Sequence, residues 1–519
     1  MSVIVVGAGP TGLMLATELA LAGVDVEVVE REAAPSGQAR GGGVNPRTAE
    51  VLAMRGLLDA VTERGAIPLQ GGAHFAGLPV PLDARPWRTR YPAGVAVWQD
   101  RLEEVLEERL GELGGTVRRG TELTGLHADP DGVTATVSGP TEVERLRAEY
   151  LVGCDGGHST ARGLAGVGFP GRAGTMAAVS ADVELADRSE TVPRGRDHIS
   201  VLTRKGGGYW MLLHPVDGTG QRYRAVFGGP EQKTLSRQAP VTPDEVGRAL
   251  TAVHGPGTRL GRLRWGTRFS DAARQVTDYR VGRVLFAGDA AHIHAPVGGQ
   301  GLNLGVQDAA NLGWKLAAQV RGDAPDGLLD SYHAERHPVA ARVIATVRAQ
   351  GVLMSPPPDA DDVWALREIV IDLARLPDAN RHLAGLMSGL DLRYDLGGTD
   401  PLVGARMPDL DLIRADGQKT RVSTLLHAGR GLLLELGNTR EPAPPGVDVV
   451  GSQPVGSADG IGCDTGANPG VDRILVRPDG YVCWVGTGPG ASPDAALRRW
   501  FGSPSLNPVD PPAGARAPS

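Results

Sequence analysis

The chain begins with a short apolar run, a glycine-rich turn and a segment with helical spacing. Residues 2–6 (SVIVV) are mostly β-branched, residues 13–23 (LMLATELALAG) repeat apolar side chains at helical spacing, and residues 24–30 (VDVEVVE) are again β-branched. Short apolar runs bounded by turn residues predict strands, and a period of 3.6 predicts a helix. The order strand, helix, strand within about 30 residues predicts a βαβ unit with parallel strands.

The pattern changes further along the chain. Residues 99–113 predict an amphipathic helix, and residues 116–152 alternate as several strands do. Residues 175–270 are mostly strand-like, in HISVLT, GYWMLLHPV and YRAVFGG, which predicts a separate antiparallel sheet. A helical region is expected at 303–390. Beyond 395, GLLLELG, VDVVG and DRILVRPDGYVCWVG predict strands of a small α/β domain.

Length, charge and cysteine content narrow the possible classes. The chain has 519 residues, enough for two or three domains, and a net charge of −7, which argues against nucleic acid or an anionic membrane as the main partner. Its three cysteines form no CxxC pair, so we expect neither a zinc site nor a dithiol centre. With no signal peptide and no transmembrane run expected, we predict a cytoplasmic protein.

The first motif with chemical content is Gly7-x-Gly9-x-x-Gly12, with Glu30 at the end of the second strand. The first glycine allows a tight turn, the second lets a pyrophosphate approach the backbone, and the third allows close helix–strand packing. Glu30 is placed to accept hydrogen bonds from the adenosine ribose. The motif predicts a dinucleotide site. The acid disfavours a 2′-phosphate, so FAD and NAD both remain possible.

Two later turns follow apolar strands and carry an aspartate. Asp155, in LVGCDGGHSTARGLAG, either binds a ligand or caps the helix that follows. Asp289, in GDAAHIHAPVGGQGLNLG, is suited to accept a hydrogen bond from a sugar-alcohol hydroxyl. Downstream, Pro296 and three glycines would let the backbone lie flat against a planar ring. A helix from about residue 302 would direct its positive end towards that ring.

Together, these segments resemble the FAD-dependent aromatic hydroxylases of the para-hydroxybenzoate hydroxylase class. The matching segments are GAGPTG, CDGGHSTAR and GDAAHIHAPVGGQGLNLGVQDAANLGWKLA. Two later segments are most similar to the group A hydroxylases that tailor bacterial aromatic polyketides and to rifampicin monooxygenase. They are LLDSYHAERHPVA and LVGARMPDL…LVRPDGYVCWVG.

The resemblance implies an α/β fold with three parts. These are a Rossmann-like FAD-binding domain of the glutathione-reductase type, an antiparallel-sheet substrate domain and a thioredoxin-like C-terminal domain without redox cysteines. The expected boundaries are 1–70, 99–175 and 270–390 for the first, 71–98 and 176–269 for the second, 395–505 for the third, and a flexible tail at 506–519.

The implied reaction uses tightly but non-covalently bound FAD, transient NADPH or NADH, and O2. A flavin C4a-hydroperoxide would hydroxylate a polycyclic aromatic, polyketide-like substrate, in a monomer or homodimer. Baeyer–Villiger insertion, epoxidation and antibiotic inactivation of the rifampicin type remain alternatives on the same chemistry. Two hypotheses come from other functional classes: a flavin dehydrogenase that does not use O2, and a flavin-binding protein without turnover.

The resemblance also implies roles for particular residues. Pro296 and Gly298 would shape the reaction site, and we assign no catalytic side chain and no metal ligand. His292 and His294 have no acid or cysteine spacing that supports a metal. The expected cofactor-binding residues are Gly7, Gly9, Gly12, Glu30, Arg31, Arg40, Gln99, Asp155, Asp289, Pro296, Gly298, Gly299, Gly301, Leu302 and Asn303. The candidates for binding substrate, any of which could equally lie in the core, are His74, Phe75, Trp98, Tyr209, Trp210, Met211 and Phe227.

Overall fold

The structure is a computed structural model. It describes residues 1–35, 37, 41–64, 67–68, 73–195, 197–216, 220–236, 238–354, 360–436, 444, 446–454, 471–488 and 490–502. Arg40, Cys463 and the expected tail at 506–519 lie outside these residues.

The described residues form helices and strands whose bounds are as follows. The helices are α1 Pro10–Leu21, α2 Pro46–Ala53, α3 Leu58–Glu63, α4 Gln99–Glu112, α5 Thr160–Leu164, α6 Ile199–Leu202, α7 Pro243–His254, α8 Gln300–Arg321, α9 Ser331–Met354, α10 Asp361–Ala374, α11 Pro377–Ser388, α12 Val422–Leu425 and α13 Asp494–Phe501. The strands are β1 Val3–Val6, β2 Val26–Glu30, β3 Ile67–Pro68, β4 Val95–Ala96, β5 Thr116–Arg119, β6 Glu122–Asp129, β7 Gly132–Ser138, β8 Val143–Ala148, β9 Tyr150–Gly153, β10 Gly171–Arg172, β11 Ala177–Asp187, β12 Thr203–Gly206, β13 Tyr209–Pro215, β14 Arg222–Gly228, β15 Arg259–Ser270, β16 Ala273–Gln275, β17 Arg280–Val281, β18 Val284–Phe286, β19 His292–Ile293, β20 Asp411–Arg414, β21 Lys419–Arg421, β22 Gly431–Glu435, β23 Val447–Pro454, β24 Val471–Val476 and β25 Val482–Thr487.

A mostly parallel sheet forms the centre of the molecule, with strand order β17-β18-β9-β1-β2-β5. Strands β1, β2, β5, β9 and β18 pair in parallel, and only β17 is antiparallel to its neighbour. The predicted βαβ unit is therefore confirmed. Because β1, β2, β9 and β18 run in the same direction, the turns that follow them meet at one edge of the sheet, where open α/β sheets bind ligands.

A five-stranded antiparallel sheet, β12-β13-β14-β11-β15, is inserted in the chain between β9 and β17 of the central sheet, and it confirms the antiparallel pattern expected for residues 175–270. Helix α7 covers one face of it, since Val246, Ala249 and Leu250 pack into the same buried cluster as the strand side chains. One predicted strand is wrong: within HISVLT, residues 199–202 form α6, whose N-cap His198 accepts a hydrogen bond from Ser200 N, and only Thr203 belongs to a strand, β12.

The helical region expected at 303–390 corresponds to α8–α11, which begin at Gln300. Helix α8 is buried from Asn303 to Ala318, because it packs against α1 on one side and α9 on another. Its first turn lies beside the ends of the parallel strands. Its C-terminal half lies next to the sheet of the last hundred residues.

The C-terminal residues form a second mixed sheet, β21-β20-β23-β22-β24-β25, in which only β22 and β23 pair in parallel. Its buried side chains are continuous with the core around α1 and α8.

Buried charges join this sheet to the rest of the molecule. Arg477, after β24, donates to Glu335 Oε1 of α9 at 2.7 Å, and Lys315 of α8 donates to Glu335 Oε2 at 2.9 Å. Burial lowers the pKa of Lys315 to about 8, although Glu335 opposes the shift. Leaving any one of these charges unpaired would be costly, so the network fixes the C-terminal sheet against α8 and α9.

Within the described residues, no helix has the length and apolarity needed to cross a membrane.

Candidate functional site

A cavity of about 1100 Å³ lies along the edge where the parallel strands end. The turns after β1, β2, β9 and β18 all border it, as does the first turn of α8. Of the fifteen expected cofactor residues, the lining includes all but Gly12, which packs beneath it, and Arg40, which is not described. Segments predicted from separate parts of the sequence thus meet at one site.

The glycine-rich turn has the geometry that its spacing predicts. A Cβ on Gly12 would lie 1.9 Å from Gly7 O, so only glycine allows α1 to approach β1 this closely. A Cβ on Gly9, by contrast, would meet no atom within 4 Å, because this residue faces the cavity at the start of α1. The free N–H groups of a helix N-terminus are suited to bind a pyrophosphate.

Glu30 lies at the end of β2 and borders the cavity. Its Oε2 accepts a hydrogen bond from Ala8 N at 2.8 Å, and its Oε1 accepts one from Glu32 N at 2.9 Å. These bonds hold the carboxylate between the two strand ends. A carboxylate has about four acceptor positions, so capacity remains for the hydroxyls of a ribose.

Asp155 has both features that the sequence left as alternatives. It accepts hydrogen bonds from the Ser159 hydroxyl and, at 3.0 Å, from Ala161 N, so it stabilises the start of α5, whose N-cap is Ser159. It also borders the cavity.

The Asp289–Asn303 segment forms a further wall of the cavity. Asp289 is exposed to it, in a 3₁₀ turn over Gly288–Ala290. Gly298 has φ +71° and a Cβ there would lie 2.4 Å from Met387 Cε, so a side chain would disturb both the backbone and the wall. Asn303 accepts a hydrogen bond from Asn45 N at 2.7 Å, which fixes the start of α8 against α2.

A buried ion network supports this wall from behind. Asp308 of α8 accepts hydrogen bonds from Arg336 Nε at 2.7 Å and Gly288 N at 3.2 Å, and its Oδ2 lies 2.7 Å from His292 Nε2. Burial alone would raise the pKa of Asp308, but the Arg336 guanidinium and His292 hold it below its usual value. Asp308 therefore stays ionised and fixes the turn that carries Asp289.

Among the lining residues that were not predicted from the sequence are Glu103, Arg119, Met387 and Ser388. Glu103 accepts a hydrogen bond at 2.8 Å from Nε2 of the expected Gln99, whose Oε1 accepts from Gly41 N at 3.1 Å. Burial raises the pKa of Glu103. Arg119 borders the same end of the cavity. Helix α11 adds Met387 and Ser388 at the other end. No motif indicated these residues, because they come from elements that are distant in the sequence.

Of the substrate candidates, only His74 borders the cavity. Its Nδ1 accepts a hydrogen bond from Gly77 N at 3.2 Å, and its ring meets that of His198 edge-on at 6.2 Å. Burial, with a smaller contribution from His198, lowers the pKa of His74 to about 4, so the ring is neutral near pH 7.

The other six candidates do not line the cavity. Met211 and Phe227 are fully buried in the core between the antiparallel sheet and α7, so the sequence-based list needs correcting at both. Tyr209 donates to Glu231 Oε1 at 2.9 Å, and Trp98 stacks against the Arg224 guanidinium. Trp210 packs beside Gly228, and Phe75 packs in an apolar cluster with Leu82 and Ala84. Alternation along a strand indicates two faces, but not which face covers the core.

The lining fits FAD. It offers a helix N-terminus for the pyrophosphate, the carboxylates of Glu30 and Asp289 for the ribose and the ribityl chain, and a flat glycine wall for the ring system. In the part of the chain that the structure describes, no group of three or more His, Cys, Asp or Glu side chains is placed to hold a metal ion.

Residues 1–347 match the FAD binding domain family, and residues 400–504 match the family described as aromatic-ring hydroxylase, C-terminal. The chain belongs to the FAD-dependent aromatic-ring hydroxylases, a class of monooxygenases that typically consume NAD(P)H and O2.

The chain is 45% identical to 12-dehydrotetracycline 5-monooxygenase/anhydrotetracycline 6-monooxygenase of Streptomyces rimosus, over 97% of this chain and 99% of the relative. It is 43% identical to the rifampicin monooxygenase of Streptomyces venezuelae, over 83% of this chain and 87% of the relative. The structure of OxyS anhydrotetracycline hydroxylase from Streptomyces rimosus superposes with a TM-score of 0.86 at 43% identity, covering 97% of this chain and 99% of that one.

Proposed function

We propose that this protein hydroxylates a polycyclic aromatic, polyketide-like molecule, using FAD, NAD(P)H and O2. The observation that carries the proposal is that one cavity joins the dinucleotide turn at one end to a pocket of small and apolar side chains at the other. The relatives that act on tetracycline-type compounds support this substrate class.

The pocket end is suited to a flat and bulky molecule. Four alanine side chains contribute only methyl groups to its lining: Ala73, Ala84, Ala93 and Ala384. Met387 supplies a flexible apolar surface. Substrate pockets commonly have volumes of about 300 to 1000 Å³, and a cavity of about 1100 Å³ has room for both an extended cofactor and part of a substrate.

His74 is the polar group that we propose for orienting the substrate. Because its Nδ1 accepts the Gly77 N–H, the proton of the neutral ring lies on Nε2. A neutral donor suits a phenol or ketone oxygen of the substrate. Its role is orientation rather than proton transfer, since a group with a pKa of about 4 is a weak base.

FAD, when bound, would accept hydride from the nicotinamide and activate O2. We propose that α1 and Gly9 hold the pyrophosphate, Glu30 the adenosine ribose and Asp289 the ribityl chain. Gln99 would lie near the ribityl chain, and the first turn of α8 would line the ring system. Pro296 and Gly298, with Met387 behind them, would exclude water beside the reacting atoms. Arg40 stays a prediction for the pyrophosphate side.

The division into domains is also a proposal, with the boundaries given above. The order β23-β22-β24-β25, a parallel pair followed by an antiparallel hairpin and the terminal α13, supports a thioredoxin-like C-terminal domain. The buried Cys483 thiol, whose pKa burial raises to about 12, is unsuited to redox chemistry. A cytoplasmic location and a monomeric or homodimeric state remain proposals from the sequence.

The decisive experiment is a turnover assay on purified protein. The visible spectrum should show flavin. Tetracyclic and angular polyketide phenols should stimulate NADPH or NADH oxidation under air and give products heavier by one oxygen atom. Rifampicin belongs in the same screen, because the identity with rifampicin monooxygenase favours antibiotic inactivation as a second candidate. Substrate oxidation without incorporation of oxygen would instead establish a dehydrogenase. A protein that takes up no FAD would refute the proposal.

A further inference from the structure

Gln350 of α9 is a fully buried amide close to the substrate end of the cavity. Its side chain is 0% exposed, and it contacts two residues that are themselves buried, Ala76 and Met387. Burying a polar group is costly unless its hydrogen bonds are made. A glutamine at such a position therefore indicates that its hydrogen bonds hold something in place.

The two ends of the Gln350 amide have different partners. Its Oε1 accepts a hydrogen bond from Ala76 N at 2.9 Å, and its Nε2 donates to Met387 Sδ at 3.5 Å. A backbone N–H only donates, so the bond to Ala76 fixes which amide atom is the oxygen. Ala76 follows His74 by two residues, and Met387 lines the cavity from α11. One side chain thus joins two segments of the substrate end.

Ala76 has a backbone conformation that residues other than glycine rarely adopt. Its φ is +52°, in the left-handed region. Such conformations persist only where surrounding contacts hold them, and they are frequent at ligand-binding sites. Arg367 of α10 also reaches Ala76 O, but at 3.5 Å, so the bond to Gln350 is the shorter of these two side-chain contacts. Gln350 is therefore well placed to hold this turn.

The left-handed turn directs the next N–H towards the His74 ring. Gly77 N donates to His74 Nδ1 at 3.2 Å, which leaves the proton of the neutral ring on Nε2. If Ala76 relaxed to a negative φ, the Gly77 N–H would point elsewhere, and the tautomer and orientation of the ring would no longer be fixed. A series of contacts thus leads from Gln350 through Ala76 and Gly77 to a ring that borders the cavity.

The other end of the amide restrains Met387. The same sulfur accepts a hydrogen bond from Gln300 Nε2 of α8 at 3.2 Å, so amides from two helices meet at one thioether. Methionine side chains are otherwise flexible. Met387 Cε lies against Gly298, 2.4 Å from the position that a Cβ there would occupy. The two amides therefore hold Met387 at the wall that the proposed function places beside the reacting atoms.

We propose that Gln350 is a positioning residue for the substrate, which holds His74 and Met387 in one arrangement and so fixes how the substrate oxygen lies relative to the Gly298 wall. The inference rests on the proposed function, in which His74 orients the substrate. It assigns a role to a residue that acts only through its neighbours and that no motif indicated.

The test is a double-mutant cycle between Gln350 and His74, measured on the FAD-loaded enzyme with the tetracyclic phenol that turns over fastest in the screen above. Gln350→Met keeps the size of the side chain but removes both hydrogen bonds. It should raise KM, and the dissociation constant measured without NADPH, by about 3- to 10-fold. Because the lost interaction orients bound substrate, kcat and FAD content should stay within about twofold of the wild type. In a His74→Phe background the same change should raise KM by less than about twofold, as coupled residues do.

Gln232→Met is the matched control, because Gln232 is a buried glutamine that donates to Glu245 of α7 at 2.7 Å and does not line the cavity. It should leave KM unchanged. An unchanged KM in Gln350→Met, or an equal rise with and without His74, would overturn the inference. If Gln350→Met fails to fold, Gln350→Asn replaces it in the cycle with the same deciding outcomes, since its amide is one methylene too short to reach both partners. A wild type that oxidises none of the screened compounds would instead refute the proposed function, and the inference with it.

Discussion

The buried carboxylate of Asp308 allows a quantitative test of what holds the cofactor wall in place. Asp308→Asn keeps the size of the side chain but removes the charge that faces Arg336, and both partners are 0% exposed. Breaking a buried pair by neutralising one partner typically costs about 3 to 5 kcal/mol, since the other charge remains buried. We therefore expect the free energy of unfolding to fall by about this amount.

The measurement is urea unfolding followed by circular dichroism, with FAD content determined on the same samples. Asp129→Asn is the matched control, because Asp129 pairs with Arg147 in an exposed bidentate contact that solvent screens. The Asp308 variant should also lose FAD, because its partner Gly288 precedes Asp289. If Asp308→Asn costs no more stability than Asp129→Asn, the reasoning is wrong.

The pH dependence of the same variant follows from the sign of the shift. The pKa of Asp308 is lowered in the folded protein, so its stabilisation is fully present above the unfolded pKa of about 3.9 and is lost as pH falls through the folded value. The stability difference between wild type and Asp308→Asn should therefore be constant from about pH 5 to 7 and shrink below about pH 4. A difference that shrinks on raising the pH within the neutral range would contradict this assignment.

Three further predictions concern the cavity and the C-terminal sheet. Gly298→Val should prevent FAD retention on gel filtration, whereas Gly322→Ala, with φ +77° and open space around it, should keep FAD and lose only about 1 to 2 kcal/mol of stability. Glu335→Gln removes the carboxylate that Lys315 and Arg477 share. Arg477 keeps its pair with Asp479 but Lys315 loses its carboxylate partner, so hydrogen–deuterium exchange in β24 and β25 should become faster, and unchanged exchange there would contradict the role of the network in holding the C-terminal sheet. His74→Phe should raise KM for the substrate several-fold with unchanged FAD content, by a factor that is the same from about pH 6 to 8, because the wild-type ring is already neutral.

The sequence predicted best those parts of the site that a single short segment encodes. The turn at Gly7–Gly12 with Glu30 is one βαβ unit, and Asp289 with the glycines before α8 is another continuous stretch, so spacing alone indicates their geometry.

The substrate end was predicted poorly for a physical reason. Its lining combines residues 73–93 with α11, nearly 300 positions later, and no local pattern records such a contact. The large apolar side chains of β13 and β14 were plausible candidates, but Met211 and Phe227 pack in the core with α7. Alternation predicted that these strands have a buried face, while only the packing of α7 decides which side chains occupy it.

The ion network between α8, α9 and the residue after β24 has a consequence for building hybrid enzymes. Lys315, Glu335, Arg477 and Asp479 form one set of charges, contributed by segments that lie far apart in the chain. Exchanging the C-terminal hundred residues between relatives to alter substrate choice would combine charges that were not selected together. Productive chimeras should therefore carry α8, α9 and the C-terminal sheet from the same parent. Between relatives, a change of charge at one of these positions should be accompanied by a compensating change at its partner.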